Sequence, residues 1–235
     1  MIPYYDHNGI TIYHGDCLEI MPLLSMIKIN AVIMDPPFAF TGGISNGRSS
    51  QASNQFFIHW WRDVCEKLTK IIQPTGEGFC WCDWRTAWII AEGFVPAFQT
   101  YDFWRVPQML YHYREMPGQG QPFRNSVDLI AYLRGPKSKA QRIPNTTHNW
   151  ISKYWYYGKH KYHQAEKSPD ICSQLLEWCS DEGQTVIDPF MGSGPVAVAC
   201  KALNRNFIGI DNTESCCETA IRRLSQEAFP FKERA

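Results

Sequence analysis

Four short apolar runs in this chain end in an aspartate: GITIYHGD (9–16), INAVIMD (29–35), QTVID (184–188) and NFIGID (206–211). Short, almost continuous apolar runs fit strands of a sheet covered on both faces. Between and around them lie stretches with apolar residues at helical spacing: 18–26, 55–72 (ending before Pro74), 85–94, 168–180, 195–204 and 213–226. Ser168 with Pro169 behind it, and Thr213, read as helix N-caps. Further strands are expected at 76–83, 99–106 and 126–133. Strand–helix alternation of this kind predicts an α/β fold, a doubly wound, mostly parallel sheet with helices on both faces. Ligands of such sheets bind beyond the C-terminal strand ends. Asp16, Asp35, Asp188 and Asp211 are therefore expected along one edge.

The 235 residues suit a single domain carrying an insertion. No apolar run is long enough to span a membrane, and MIPYYDHNG has no basic stretch leading into an apolar one, so neither a membrane anchor nor a secretion signal is expected. Nine cysteines without scaffold spacing favour reduced thiols in a cytoplasmic compartment. Cys80-Trp81-Cys82 falls on a strand and His160-Lys161-Tyr162-His163 has no nearby Cys-x-x-Cys, so buried thiols are preferred to a metal site and no metal is expected.

Net charge is zero but unevenly spread. Between Arg134 and Lys167 eight basic residues face Glu166 alone, a local charge of +7, and six aromatic residues are interleaved with them. Cations neutralise phosphates and aromatic faces stack on exposed bases, so this window is a candidate nucleic-acid surface; the plain alternative is a solvated loop. Residues 40–54, rich in Gly, Ser and Asn, read as a mobile loop.

Two motifs sit at the acid-ended strands. Asp35-Pro36-Pro37-Phe38 on its own could simply be a strand that stops, since proline lacks an N–H and fixes φ. In the second, Asp188 is followed by Phe190-Met191-Gly192-Ser193-Gly194, a helix opening at Pro195, and another strand-terminal acid, Asp211, 23 residues after the first. Glycines let a ligand approach the backbone, and an acid at the next strand end can hold ribose hydroxyls. A dinucleotide site would want G-x-G-x-x-G to receive a pyrophosphate at the helix N-terminus. A carboxylate before the turn suits a positively charged ligand better.

With these motifs in this order and the basic window between them, the chain resembles the β class of S-adenosylmethionine-dependent DNA amino-methyltransferases over nearly its whole length. The resemblance rests also on His14-Gly15-Asp16-Cys17 and Glu166-Lys167-Ser168-Pro169. It departs from the family at Phe38, where most relatives have Tyr, and at Pro195, where Thr is usual. The resemblance implies a Rossmann-like methyltransferase fold with circularly permuted motif order. The catalytic domain would span 1–235, with a short target-recognition insertion at 134–165 and a catalytic loop at 40–54. It implies methyl transfer from S-adenosylmethionine, leaving S-adenosylhomocysteine, to the exocyclic amine of a flipped adenine in double-stranded DNA. The setting would be a restriction–modification system of a prokaryotic cell or its phage, acting in the cytoplasm, and a homodimer is compatible with it.

By that resemblance Asp35 and the Pro36 carbonyl accept the amine hydrogens, Pro37 stiffens the turn and Phe38 stacks on the extruded base. Asp211 takes the ribose, Asp16 and Cys17 the cofactor's adenine, and Phe190, Gly192 and Gly194 its methionine side, with Asp35 also counted among the cofactor's neighbours. Lys167 and Ser168 are expected at its carboxylate. Asp188 is either an indirect contact to its amino group or a structural acid capping the turn. Arg142, Lys153, Trp155, Lys159 and Lys161 are expected on DNA. Cytosine-N4 methylation uses the same scaffold but more often carries Ser before Pro-Pro. An RNA amino-methyltransferase and a non-catalytic nucleotide-binding module are the other readings.

Overall fold

The computed structural model describes residues 2–37, 51–84, 86–93, 105–113, 126–144, 146–151 and 167–226. Its strands are β1 (Tyr5–His7), β2 (Ile10–His14), β3 (Ile29–Met34), β4 (Ile72–Cys82), β5 (Arg105–Tyr113), β6 (Val127–Arg134), β7 (Trp150–Ile151), β8 (Thr185–Asp188) and β9 (Asn206–Asp211). Its helices are α1 (Cys17–Ile20), α2 (Gln51–Ile71), α3 (Ala87–Gly93), α4 (Pro169–Cys179), α5 (Pro195–Ala202) and α6 (Glu214–Leu224).

The strands form one sheet in the order β1-β2-β9-β8-β3-β4-β6-β5-β7. The run from β2 to β4 is parallel, whereas β1 and β6 pair antiparallel with their neighbours. In β3, Ile29 and Ala31 to Met34 are completely buried, as expected for a central parallel strand covered on both faces. Helices α4, α5 and α6 cover one face through Leu175, Val196 and Cys217. Helices α1, α2 and α3 cover the other through Ile20, Trp61 and Ile89. Trp61 is fully buried, and its indole N–H donates to the Ile90 carbonyl (3.4 Å), so the ring packs without an orphaned donor. Removing it would cost about 3–5 kcal/mol.

Connectivity creates the crevice. From β3 the chain crosses through α2 to β4 on one side; from β8 it crosses through α5 to β9 on the other. β3 and β8 are nonetheless neighbours, with Ala31 opposite Val186 and Val32 opposite Ile187. The two crossovers depart in opposite directions, leaving a gap above the C-terminal ends of β3 and β8. Asp35 and Asp188 stand at that gap.

Several expectations are corrected. Residues 51–54 open α2 rather than closing a loop, and residues 40–50 lie outside the described residues. β4 begins at Ile72, directly after α2, and runs through Pro74. Of the strand expected at 99–106, Arg105 and Val106 open β5, which runs on to Tyr113, and residues 99–104 lie outside the described residues. The short edge strands β1 and β7 were not expected. Ser168 caps α4 as read, accepting from the Asp170 N–H (3.2 Å). Thr213 occupies the N-cap position of α6, but its side chain makes no capping bond and donates to Asn212 Oδ1 (3.1 Å).

Candidate active site

The glycine turn between β8 and α5 is built by the acids around it. Asp188, 3% exposed, accepts from the Phe190 N–H (3.0 Å) and starts the turn. Asp211, at the end of β9, accepts from the N–H groups of Gly192 (2.8 Å) and Thr213 (2.9 Å), one on each carboxylate oxygen. Gly192 and Gly194 have φ of 54° and 75°, a region that side chains other than glycine's enter at a cost. From behind, buried Arg223 of α6 donates to the Ser193 carbonyl (3.0 Å) and hydroxyl (3.1 Å). Nothing in the sequence marked Arg223, because it stands in the apolar stripe of α6 with Cys217 and Ala220.

Beside Asp211, the Gly15 N–H donates to the Asp211 carbonyl (2.9 Å), fixing the end of β2 to the end of β9. Asp16 caps α1 through the Leu18 N–H (2.7 Å). Cys17 is buried, which with the Asp16 charge pushes its thiol up to about 12. A cavity of about 420 Å³ opens here, lined by Asp16, Cys17, Asp35, Trp60, Phe190 and Asp211 among others. Trp60 of α2 leans on Phe190 with ring centroids 5.6 Å apart. The sequence reading missed Trp60, which looked like one more apolar position of a helix.

A second cavity, of about 340 Å³, shares Asp35, Phe190 and Gly192 with the first and is closed by Trp81, Lys167 and Asp188. Asp35 links the two. Its Oδ2 is 2.8 Å from Lys167 Nζ, and Lys167 lies 5.6 Å from the centre of the Trp81 ring. Its Oδ1 is buried and has no hydrogen-bond partner among the described residues. Burial raises the Asp35 carboxyl above the usual carboxylate range, against the pull of Lys167. Burial opposes the charge on Lys167, but Asp35 and Asp128 outweigh it and its pKa is raised. Asp188 is pushed well up, by burial first and then by the charges of Asp35 and Asp211.

The structure thus brings Asp16, Cys17, Asp35, Pro37, Lys167, Asp188, Phe190, Gly192 and Asp211 around two adjoining cavities. Pro36 is buried between Asp35 and Pro37. Ser168 caps α4, and Gly194 packs on Ala220 behind the turn. Phe38, Lys153, Trp155, Lys159 and Lys161 lie outside the described residues. Arg142 is not brought to the site. It lies toward the start of β4, at the opposite sheet edge, with Nε 2.9 Å from Asp181 Oδ1 and Nη1 3.9 Å from buried Glu77. In this structure its ion pair ties the segment after β6 to the segment before β8.

The lining has a chemical bias. Among the described residues the first cavity has three carboxylates, two thiols and aromatic faces, and neither Lys nor Arg. A pyrophosphate would find no cation there; a nucleoside carrying a positive charge would find acids and ring faces. Among the described residues there is also no cluster of three or more metal-binding side chains, and no helix long and apolar enough to cross a membrane.

Comparison with known proteins agrees with this bias. Residues 29–222 match the DNA methylase family of N6 and N4 methyltransferases. The chain is 23% identical to the type II methyltransferase M.BamHI of Bacillus amyloliquefaciens over 258 residues, spanning 96% of this chain and 59% of that protein. It is 23% identical to the type II methyltransferase M2.DpnII of Streptococcus pneumoniae over 261 residues, covering 96% of this chain and 93% of the relative. Similar folds are seen in the M1.HpyAVI–SAM complex (TM-score 0.70, 23% identity, 92% of this chain and 100% of that one) and in the cytosine-N4-specific PvuII DNA methyltransferase (TM-score 0.76, 13% identity, 97% and 90%). A fold shared with a cytosine enzyme leaves the methylated base to be argued from the site. The chain belongs to the DNA methylase family, the amino-methyltransferases that depend on S-adenosylmethionine.

Proposed function

We propose that this protein methylates the N6 amine of adenine in double-stranded DNA, within a restriction–modification system in the cytoplasm of a prokaryotic cell. One observation carries the reading: Asp35 Oδ1, a buried acceptor without a partner among the described residues, at the junction of the two cavities. Such an acceptor costs free energy unless a ligand donates to it.

An exocyclic amine is a poor nucleophile because its lone pair is delocalised into the ring. Asp35 Oδ1 and the Pro36 carbonyl each accept one amine hydrogen and localise the pair on nitrogen, an effect that grows as charge develops in the transition state. The consecutive prolines fix the direction of both acceptors. Phe38 stacks on the base, which must leave the duplex to be reached. The cofactor, when bound, supplies an electrophilic methyl group on a sulfonium. Each Asp211 oxygen keeps a lone pair beyond its backbone bond and can accept a ribose hydroxyl, while Asp16 and Cys17 border the adenine and Phe190 and Gly192 the methionine side. The carboxylate before Pro-Pro favours adenine over cytosine.

The test is incubation of unmodified plasmid DNA with the protein and S-adenosylmethionine, followed by digestion and mass spectrometry of nucleosides. N6-methyldeoxyadenosine is expected, and its yield should fall at least about 10²-fold in Asp35→Ala while cofactor binding persists. N4-methyldeoxycytidine as the product would refute the adenine reading. Methylation of transcripts in preference to the plasmid would refute the DNA reading.

A further inference from the structure

We infer that a hollow at the starting ends of β3 and β4, the end of the strands opposite Asp35, is a second binding site, suited to a small phosphomonoester. The hollow has a volume of about 420 Å³ and is lined by Asn30, Glu77, Lys137, Lys139, Arg142 and Asp181 among others. Small-molecule sites run from roughly 300 to 1,000 Å³, so there is room for a phosphate and the organic group it is attached to.

Glu77 is the residue that points to a ligand. It stands inside β4, between Ala31 of β3 and Arg134 of β6, and is 1% exposed. Its Oε1 accepts twice, from the Ser138 hydroxyl and from the Ala140 N–H (3.0 Å). Its Oε2 is buried with no hydrogen-bond partner among the described residues, and Arg142 Nη1 stays 3.9 Å away, beyond hydrogen-bond reach. A buried acceptor left so costs free energy until a donor arrives. The internal rival is the Tyr132 hydroxyl, also buried and raised in pKa by burial first and then by the Glu77 charge.

The surroundings select the donor. Asp181 holds Arg142 with Nε 2.9 Å from Oδ1 and Nη2 2.5 Å from Oδ2, which keeps the guanidinium beside Glu77 Oε2. An ammonium entering there would meet a like charge, whereas a neutral hydroxyl would not. Lys137 and Lys139, both exposed, line the same hollow, so three cations stand against the carboxylates of Glu77 and Asp181. The fitting ligand is therefore an anion that also carries a hydroxyl donor. A phosphomonoester retains one such proton below its second pKa of about 6. Sulfate and the phosphodiesters of DNA carry none, so the hollow selects against the DNA backbone.

The experiment is equilibrium dialysis of the full chain at about pH 6 against inorganic phosphate, methyl phosphate, dimethyl phosphate and sulfate. Inorganic phosphate and methyl phosphate should bind about 10- to 100-fold more tightly than the other two, which leave Oε2 unmet. Glu77→Gln keeps an oxygen for Ser138 and Ala140 and offers the ligand an N–H, so sulfate and dimethyl phosphate should catch up. Joint replacement of the exposed Lys137 and Lys139 by Met should weaken phosphate by about tenfold or more, with melting of the free protein unchanged. Equal binding of phosphate and sulfate by the parent, or none of either, would overturn the inference. So would exclusion of methyl phosphate, parent-like binding in the lysine variant, or undiminished discrimination in Glu77→Gln, which would give Oε2 to Tyr132. Should Glu77→Gln fail to fold, the parent's discrimination and the lysine variant still decide.

Discussion

The two glycines of the turn after β8 look interchangeable, yet the structure predicts that they fail in different ways. A Cβ at Gly194 would stand 2.7 Å from Ala220 Cβ and 3.3 Å from Ala220 Cα, on the backbone of α6. One at Gly192 would meet no atom within 4 Å. Both positions have positive φ, which costs an alanine about 1–2 kcal/mol. Gly194→Ala adds overpacking of about 1–3 kcal/mol, because helix backbone cannot swing aside as a flexible side chain can. Gly194→Ala should therefore lose about 2–5 kcal/mol of stability, and Gly192→Ala only about 1–2 kcal/mol.

The binding order should be reversed. Gly192 lines both cavities, so its open space is where a ligand comes closest to the backbone; Gly194 lines neither. A methyl group intruding on a fitted ligand at about 1–3 kcal/mol corresponds to a loss of about 5- to 150-fold in affinity. Urea denaturation followed by tryptophan fluorescence reads the first quantity, and calorimetry with S-adenosylmethionine reads the second. Parent-like affinity in Gly192→Ala would mean that the cofactor does not pass over this turn. Parent-like stability in Gly194→Ala would mean that α6 does not pack on it.

Asp211→Ala should weaken S-adenosylmethionine binding by about 1–3 kcal/mol in calorimetry, because it removes the proposed ribose acceptor and leaves the Gly192 and Thr213 N–H groups unpaired. Asp188→Asn should bind cofactor and methylate within about threefold of the parent, since an amide oxygen can still accept from Phe190 N–H and adds no buried charge. DNA binding should show a log–log salt slope near −3, about 0.9 for each of Lys153, Lys159 and Lys161. Their joint replacement should flatten it, and an unchanged slope would move the phosphate grip elsewhere.

That slope is smaller than the +7 window suggests, and the difference shows what a linear charge count misses. Arg134 donates to the Ser138 carbonyl, Arg142 pairs with Asp181, and Lys137 and Lys139 line a hollow with Glu77, all at the sheet edge away from Asp35. Lys167 belongs to the site itself. A sheet has two edges, and net charge does not say which one a cation joins. The acid-ended strands were legible because a buried parallel strand is written as an apolar run and its end as a change of chemistry. β1 and β7, three and two residues long, carry too little pattern to see. The first turn of α2 was hidden because Gln51-Ala52-Ser53-Asn54 has no apolar period of its own; no Gly or Pro interrupts it, so a helix nucleated further on can extend through it. The Lys167–Asp35 contact joins residues that only the crossovers bring together.

Placing Asp35 and Asp188 on neighbouring strands creates a problem that the fold resolves asymmetrically. Two neighbouring carboxylates, Asp188 buried and Asp35 covered at Oδ1, cannot both ionise cheaply, and Asp211 beyond them adds to the field. A cation placed symmetrically would leave the charge shared between the two acids. Lys167 instead contacts Asp35, at 2.8 Å, while Asp188 receives a neutral backbone N–H. Burial first, and then the charges of Asp35 and Asp211, drive Asp188, the acid without the cation, well above its ordinary range. Divergent environments for a pair of carboxyls divide their chemistry between them. On the proposed reading Asp35 is the member that carries charge toward a substrate hydrogen, and Asp188 shapes the turn beside it. The aspartate before the two prolines is paired with a lysine that follows it by more than half the chain.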